Sequence, residues 1–204
     1  MKPGTINPKN WAIVASLALS TLLSGVAKAE PANWEIDAEH FSIMFAVEHI
    51  GYQQQIGMFL DASGSFRFDP QTNELFSGQV EVQADSVFSN HDERDDHLRG
   101  GDFLDASDHS LVVFSATEFT PDRNNSMAGT LTGDLTLLGE THPVQMQVNL
   151  NKRERYPFGH RQETLGISAT TTIQRSQWGM DYGVSNNLVG DTVDLRFEFE
   201  AIRQ

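Results

Sequence analysis

The chain has 204 residues, no cysteine, and a formal charge of −14 from 28 acidic and 14 basic residues. The missing cysteine excludes disulfides, thiolate chemistry and a lipidated N-terminal cysteine. The acidity repels phosphate backbones and anionic head groups, which excludes a nucleic-acid partner.

In chain order, the first 29 residues read as a secretory signal peptide. Lysines and no acids open it, Trp11–Leu23 forms a thirteen-residue apolar run, and Ala27-Lys28-Ala29 is an A-x-A exit. The apolar run is short for a membrane span. Cleavage there leaves a single exported domain, residues 30–204. With three lysines and no acid removed, 11 basic residues face 28 acidic ones, a formal charge of −17. A core must stabilise this domain unaided, and 175 residues can bury one large enough.

Period-two alternation dominates the remainder. In 40–49, Phe41, Ile43, Phe45 and Val47 share one face; in 64–68, Phe66 and Phe68 do so. Val80, Val82 and Ala84 follow in 79–85, then a less regular run over 111–119. Leu131, Leu135 and Leu137 alternate in 130–139, and Val144, Met146, Val148 and Leu150 in 142–151. Leu165, Ile167, Ala169 and Ile173 mark 165–173; Val193, Leu195, Phe197 and Phe199 mark 192–201. Each run has the pattern of an antiparallel strand with one wet face. Turn residues separate them at Asp69-Pro70, Asn124-Asn125, Leu138-Gly139 and 156–159. About eight such strands predict an all-β barrel or sandwich. Short helical turns are expected at 92–100 and 175–180.

Residues 91–106, HDERDDHLRGGDFLDA, concentrate six acids, two histidines and two arginines. His91 and His97 are six apart, which on a helix turns their rings about 120° from each other. The i, i+4 spacing of helical zinc ligands is absent, so no metal is expected there. No G-x-S-x-G elbow occurs, and no carboxylate pair stands out for acid/base work. The structural reading is that Arg94 and Asp95 pin this segment to the barrel, with His97 and Leu98 packed and Asp92, Glu93 and Asp96 wet. A metal-dependent or hydrolytic enzyme using residues 91–109 is the alternative from another class.

RDDHLRGGDFLDA, residues 94–106, resembles the R-D-x-H-L-x-x-x-D-F-F-D signature of the YceI-like family. In the same order come Trp34–Asp37 with His40–Phe45, Val47–Gly51, Gly57–Phe59, Thr132–Gly139 with Pro143-Val144, and Arg175–Met180. Three places depart from the pattern: His109-Ser110 for Tyr-Pro, Trp178 for Phe, and Val87–Asn90 after Ser86. The resemblance implies a lipocalin-like antiparallel β-barrel, exported in many bacteria, that binds a polyisoprenoid or quinone-like lipid and has no cofactor.

On that reading the ligand is a hydrophobic lipid and catalysis is absent. The expected interior contacts are Ile43, Phe45, Val47, Phe66, Val82, Leu135, Leu137, Val144, Met146, Ile167, Leu195 and Phe197. Head-group candidates are His49, Arg94, His97 and Trp178, with Trp178 narrowing the mouth. Peripheral membrane contact is compatible with such a carrier, and the sequence leaves its oligomeric state open. A barrel filled by its own side chains, acting through its surface, is the third reading, because alternation alone does not distinguish a packed interior from a hollow one.

Overall fold

A computed structural model describes residues 31–204, together with Met1. The expected signal peptide lies, Met1 apart, outside the described residues. The strands are β1 (Ala32–His49), β2 (Gln53–Phe59), β3 (Ala62–Asp69), β4 (Glu74–Gln83), β5 (Val87–Phe88), β6 (Leu111–Asp122), β7 (Asn125–Leu137), β8 (Glu140–Arg155), β9 (Glu163–Gln174) and β10 (Val189–Arg203). Helix α1 spans Asp92–Arg99, and single 3-10 turns occupy Ala84–Ser86 and Arg175–Trp178.

Hydrogen bonding runs β1-β3-β4-β6-β7-β8-β9-β10 and returns from β10 to β1. The upper half of β1, Ile43–His49, pairs with β2, while its lower end, Ala32–Glu35, pairs with β3. β2 and β3 are therefore one strand broken at Leu60-Asp61. The turn Ala84–Ser86 breaks the next strand similarly, since β4 pairs with β3 and β5 with β2. The result is a closed eight-stranded antiparallel barrel. Closure removes the unpaired edges that would otherwise invite aggregation.

The predicted alternation appears as burial: Leu135, Leu137, Val144, Met146, Val148 and Leu150 are buried while their neighbours face water. Leu138 and Gly139 both take positive φ, 52° and 77°, and join β7 to β8 in two residues. This is the left-handed turn whose twist matches antiparallel strands.

Two features departed from the sequence reading. β1 begins at Ala32, eight residues before the predicted run, and carries an irregularity between Ile36 and Phe41. β2 was not predicted, because its polarity is inverted. Ile56 points outward and is 62% exposed, whereas Gln55 shares the inward register of Val47. Its inward Gly57 lies under the ring of Phe45, where a Cβ would overlap that ring. An aromatic side chain laid over a cross-strand glycine accounts for this Gly of the G-x-F segment.

Short turns close the lower end, and the core there is aromatic. Trp34 is fully buried, donates its indole N–H to Phe68 O at 3.2 Å, and stacks on Phe66 at 6.3 Å between centroids. Phe68 meets Phe119 edge-on at 6.2 Å. The upper end is closed differently, by α1 with residues 100–110 and by residues 175–188.

Candidate functional site

Between these two ends the barrel encloses a cavity of about 250 Å³. Its lining is almost wholly hydrocarbon; the polar residues on it are Ser65, Gln79 and Arg175. Phe41, Phe45, Val47, Phe66, Leu195, Phe197 and Phe199 point inward yet stay only partly buried, since one face of each looks onto the cavity. An apolar cavity of about 150 Å³ stays dry and accepts a benzene-sized guest, so a cavity of this size and lining has the character of an apolar binding site.

Of the twelve expected interior residues, Ile43, Phe45, Val47, Phe66, Val82, Leu135, Leu137, Met146, Ile167, Leu195 and Phe197 line the cavity. Val144 does not. It is buried, 6% exposed, but packs within the wall among its neighbours. Strand alternation specifies the inward face, whereas height along the barrel determines whether an inward side chain reaches the hollow or a packed layer.

The head-group candidates fare differently, for none of the four lines the cavity. His49 is exposed at the upper end of β1. Trp178 does not narrow a mouth: it is 2% exposed and donates its indole N–H to Leu135 O at 3.0 Å, with the His142 ring edge-on at 5.1 Å. An indole needs such an acceptor when buried, and this one fastens the Arg175–Trp178 turn to β7.

Arg94 is occupied internally. Its Nε donates to Ser89 Oγ at 2.7 Å and its Nη2 to the Ser89 carbonyl. Asp95, 3% exposed, accepts the Ser89 amide at 2.7 Å and the Ser89 hydroxyl. Arg94 and Asp95 thus clamp one serine from both sides, which is the pinning role expected of them. The first turn of α1 is acidic and the last basic, matching the helix dipole. His91 caps it, accepting the Arg94 amide at 3.3 Å.

His97 is exposed, not packed under the helix. Its Nε2 sits 3.0 Å from Asp102 Oδ2, and its ring meets Phe103 and Tyr182 edge-on at 5.0 and 5.2 Å. It bridges the two halves of the cap from outside. Leu98, Phe103 and Leu104 carry the apolar side of that cap into the cavity.

The charged residue that does reach the cavity is Arg175, which the sequence presents only as part of a motif. It is 2% exposed and donates to four carbonyls: Gly190 at 2.8 Å, Met180 at 2.8 Å, Tyr182 at 2.8 Å and Val189 at 3.1 Å. Its guanidinium carbon lies 5.8 Å from the Phe103 ring centroid. Burial pushes its pKa down while the charges of Asp191 and Asp181 push it up; an arginine so placed keeps its proton. Asp191 in turn accepts the Ser176 amide and hydroxyl, each at 2.9 Å. One side chain therefore ties the whole 175–190 segment across the upper end. A sequence signal existed, an arginine opening a helical turn after an apolar strand, but four carbonyls converging from five to fifteen residues downstream have no sequence signature.

Among the described residues the cavity lining includes one hydroxyl, Ser65, with no Asp, Glu or His beside it in that lining to act as a base, and no metal-ligand set borders it. Its chemistry is apolar enclosure.

Comparison with known proteins agrees with this architecture. The model of the YceI-like domain matches residues 34–201. A UPF0312 protein of Pseudomonas aeruginosa is 35% identical over 195 residues, covering 94% of this chain and 97% of the relative. The crystal structure of the Campylobacter jejuni YCEI protein superposes with a TM-score of 0.69 at 24% identity, covering 77% of this chain and 90% of that one. A polyisoprenoid binding domain from Saccharophagus degradans superposes with a TM-score of 0.63 at 13% identity, covering 84% and 98%. Signature, barrel and family match coincide over nearly all the described residues, and the chain belongs to the YceI-like family.

Proposed function

We propose that this protein binds a long-chain isoprenoid or related lipid inside its barrel, without catalysis, after export to the periplasm. The observation that carries the reading is the hydrocarbon-lined cavity of about 250 Å³ beneath a two-part cap. The name of the Saccharophagus degradans domain, a polyisoprenoid binder of the same fold, supports the ligand class. The charged start, apolar run and A-x-A exit of residues 1–29 support the location.

The energetics need no polar anchor. Each buried CH₂ contributes roughly 0.8 kcal/mol, so a handful of isoprene units is enough for tight binding. The cavity as it stands holds a short stretch of chain. A longer one enters as the half-buried rings of Phe59, Phe197 and Phe199 turn aside, a rotamer change rather than a change of fold. Selectivity then follows from bore and length.

Solvent extraction of protein purified from its own host, followed by mass spectrometry, tests the ligand. Recovery of a prenyl or quinone lipid near one per chain is expected. A folded protein recovered from periplasm without any lipid, and unable to take up a prenyl alcohol, would overturn the proposal. N-terminal sequencing of the exported chain should begin at Glu30; a start at Met1 in that fraction would refute the location.

A further inference from the structure

A second constellation lies on the outer wall, away from the cavity. Ile36 pairs with Ala201 and Phe41 with Phe199, so Asp37 to His40 stand opposite Glu200 alone. Such an insertion re-aims the side chains it carries. Here one donor atom each from Asp37, His40 and Glu200 comes within 4.8 Å of the others. On the other side of Glu200 its strand partner is Gly166, which brings no side chain over it. The Tyr156 ring lies 6.4 Å from His40 and 4.6 Å from His160, so a second imidazole borders the group.

Asp37 is satisfied: Oδ1 accepts the Glu39 amide at 2.9 Å and Oδ2 contacts His40 Nδ1 at 2.8 Å. Glu200 is satisfied only in part. The Tyr156 hydroxyl approaches its carboxyl group, yet Oε2 is sealed from solvent and meets no partner in hydrogen-bond geometry, the one such side-chain atom among the described residues. No ion pair among the described residues includes Glu200. A buried carboxylate oxygen is costly unless a cation or donor meets it, and buried charges are found paired or coordinating metal.

We propose that Asp37, His40 and Glu200 form a site for a divalent transition-metal ion, Zn²⁺ by its donor set, tying the β1 bulge to β10. Two carboxylates and an imidazole suit zinc better than they suit a hard, all-oxygen cation. A tetrahedral zinc with bonds of about 2.0–2.1 Å wants donors roughly 3.4 Å apart, so side chains now within 4.8 Å close in by about 1.4 Å at most. Three protein donors leave one coordination position for water, with His160 adjacent. The ion meets the orphaned Glu200 oxygen directly. The site is independent of lipid in the cavity.

The test uses the chelator-stripped, dialysed protein with zinc chloride as probe and magnesium chloride as control, followed by calorimetry and thermal melting. One zinc per chain is expected, at about micromolar Kd or tighter, with a raised Tm and no response to magnesium. Glu200→Gln and His40→Ala should each weaken zinc binding at least about tenfold. Glu200→Gln keeps the shape and removes a buried charge, so its metal-free Tm should hold or rise, and His40 is exposed enough for its alanine variant to fold. Absence of any zinc response in folded wild type up to about 1 mM overturns the site. Unchanged zinc affinity in either variant overturns it equally, as does binding that disappears only when His91 and His97 are both replaced.

Discussion

Blocking the cavity from its own wall separates a lipid carrier from a barrel that needs its interior only for stability. Leu195 and Leu135 both line the cavity, but they meet it differently. Leu195 is partly buried and presents surface to the hollow, whereas Leu135 is 7% exposed and already enclosed by neighbours. In Leu195→Trp the indole grows into a space of about 250 Å³, so stability should stay within about 1 kcal/mol of wild type. Leu135→Trp has no such room and should cost about 1–3 kcal/mol by overpacking. An indole in the cavity displaces about four CH₂ groups of a bound chain, worth roughly 3 kcal/mol. That corresponds to about a 200-fold loss of affinity, since 1.4 kcal/mol is tenfold. The assay is titration with a fluorescent prenyl or polyene lipid, with lipid recovery by mass spectrometry and urea denaturation on the same samples. A folded Leu195→Trp protein that retains full lipid content would refute the interior as the binding site. Equal stability losses in the two variants would refute the reading of where the hollow lies.

Three further outcomes follow from the same structure. Arg175→Met removes the donor to four carbonyls and should destabilise by at least about 3 kcal/mol, since buried acceptors left unpaired cost about 1–3 kcal/mol each; amide exchange over 180–190 should rise first, and unchanged protection there would refute the strap. Gly57→Val puts a side chain where the Phe45 ring lies and should cost about 1–3 kcal/mol in urea denaturation; a neutral result would mean that ring is not held there. In metal-free protein, burial raises the Asp37 carboxyl, but His40 and the Glu39 amide outweigh it and hold it below 3.8, while the same hydrogen bond raises His40 above 6.5. The Asp37 contribution is present above pH 3.8 and disappears as pH falls through its lowered value; the His40 contribution is present below pH 6.5 and disappears as pH rises through its raised value. Asp37→Asn should flatten both limbs of the stability profile, and an unaltered profile would refute the pair.

Alternation by itself determined the all-β class, a barrel or a sandwich, and which face of each regular strand points inward, and the resemblance to the YceI-like family narrowed this to a barrel. Side chains in a strand have period two, and a closed barrel has only an inside and an outside. Leu135 against Asp134, or Phe197 against Glu198, can be assigned from the chain alone. The order of short motifs from Trp34 to Met180 likewise points to the family from the chain alone. What pattern could not supply was height and convergence. Val144 and Met146 alternate identically, yet one sits in a packed layer and the other on the hollow. β2 breaks the pattern because its Ile56 faces out while Gln55 and Gly57 face in, and the ring that covers Gly57 belongs to Phe45 of another strand. The acidic segment at 91–106 looked like chemistry, and its internal clamp on Ser89 became visible only with the chain folded back on itself. Arg175 beneath the cap gathers carbonyls five to fifteen residues away, and on the wall Glu200 meets Asp37 and His40 from 163 and 160 positions away. Local sequence carries period and turn chemistry, whereas a site is a meeting of distant groups, and only the closure of β10 onto β1 sets that meeting.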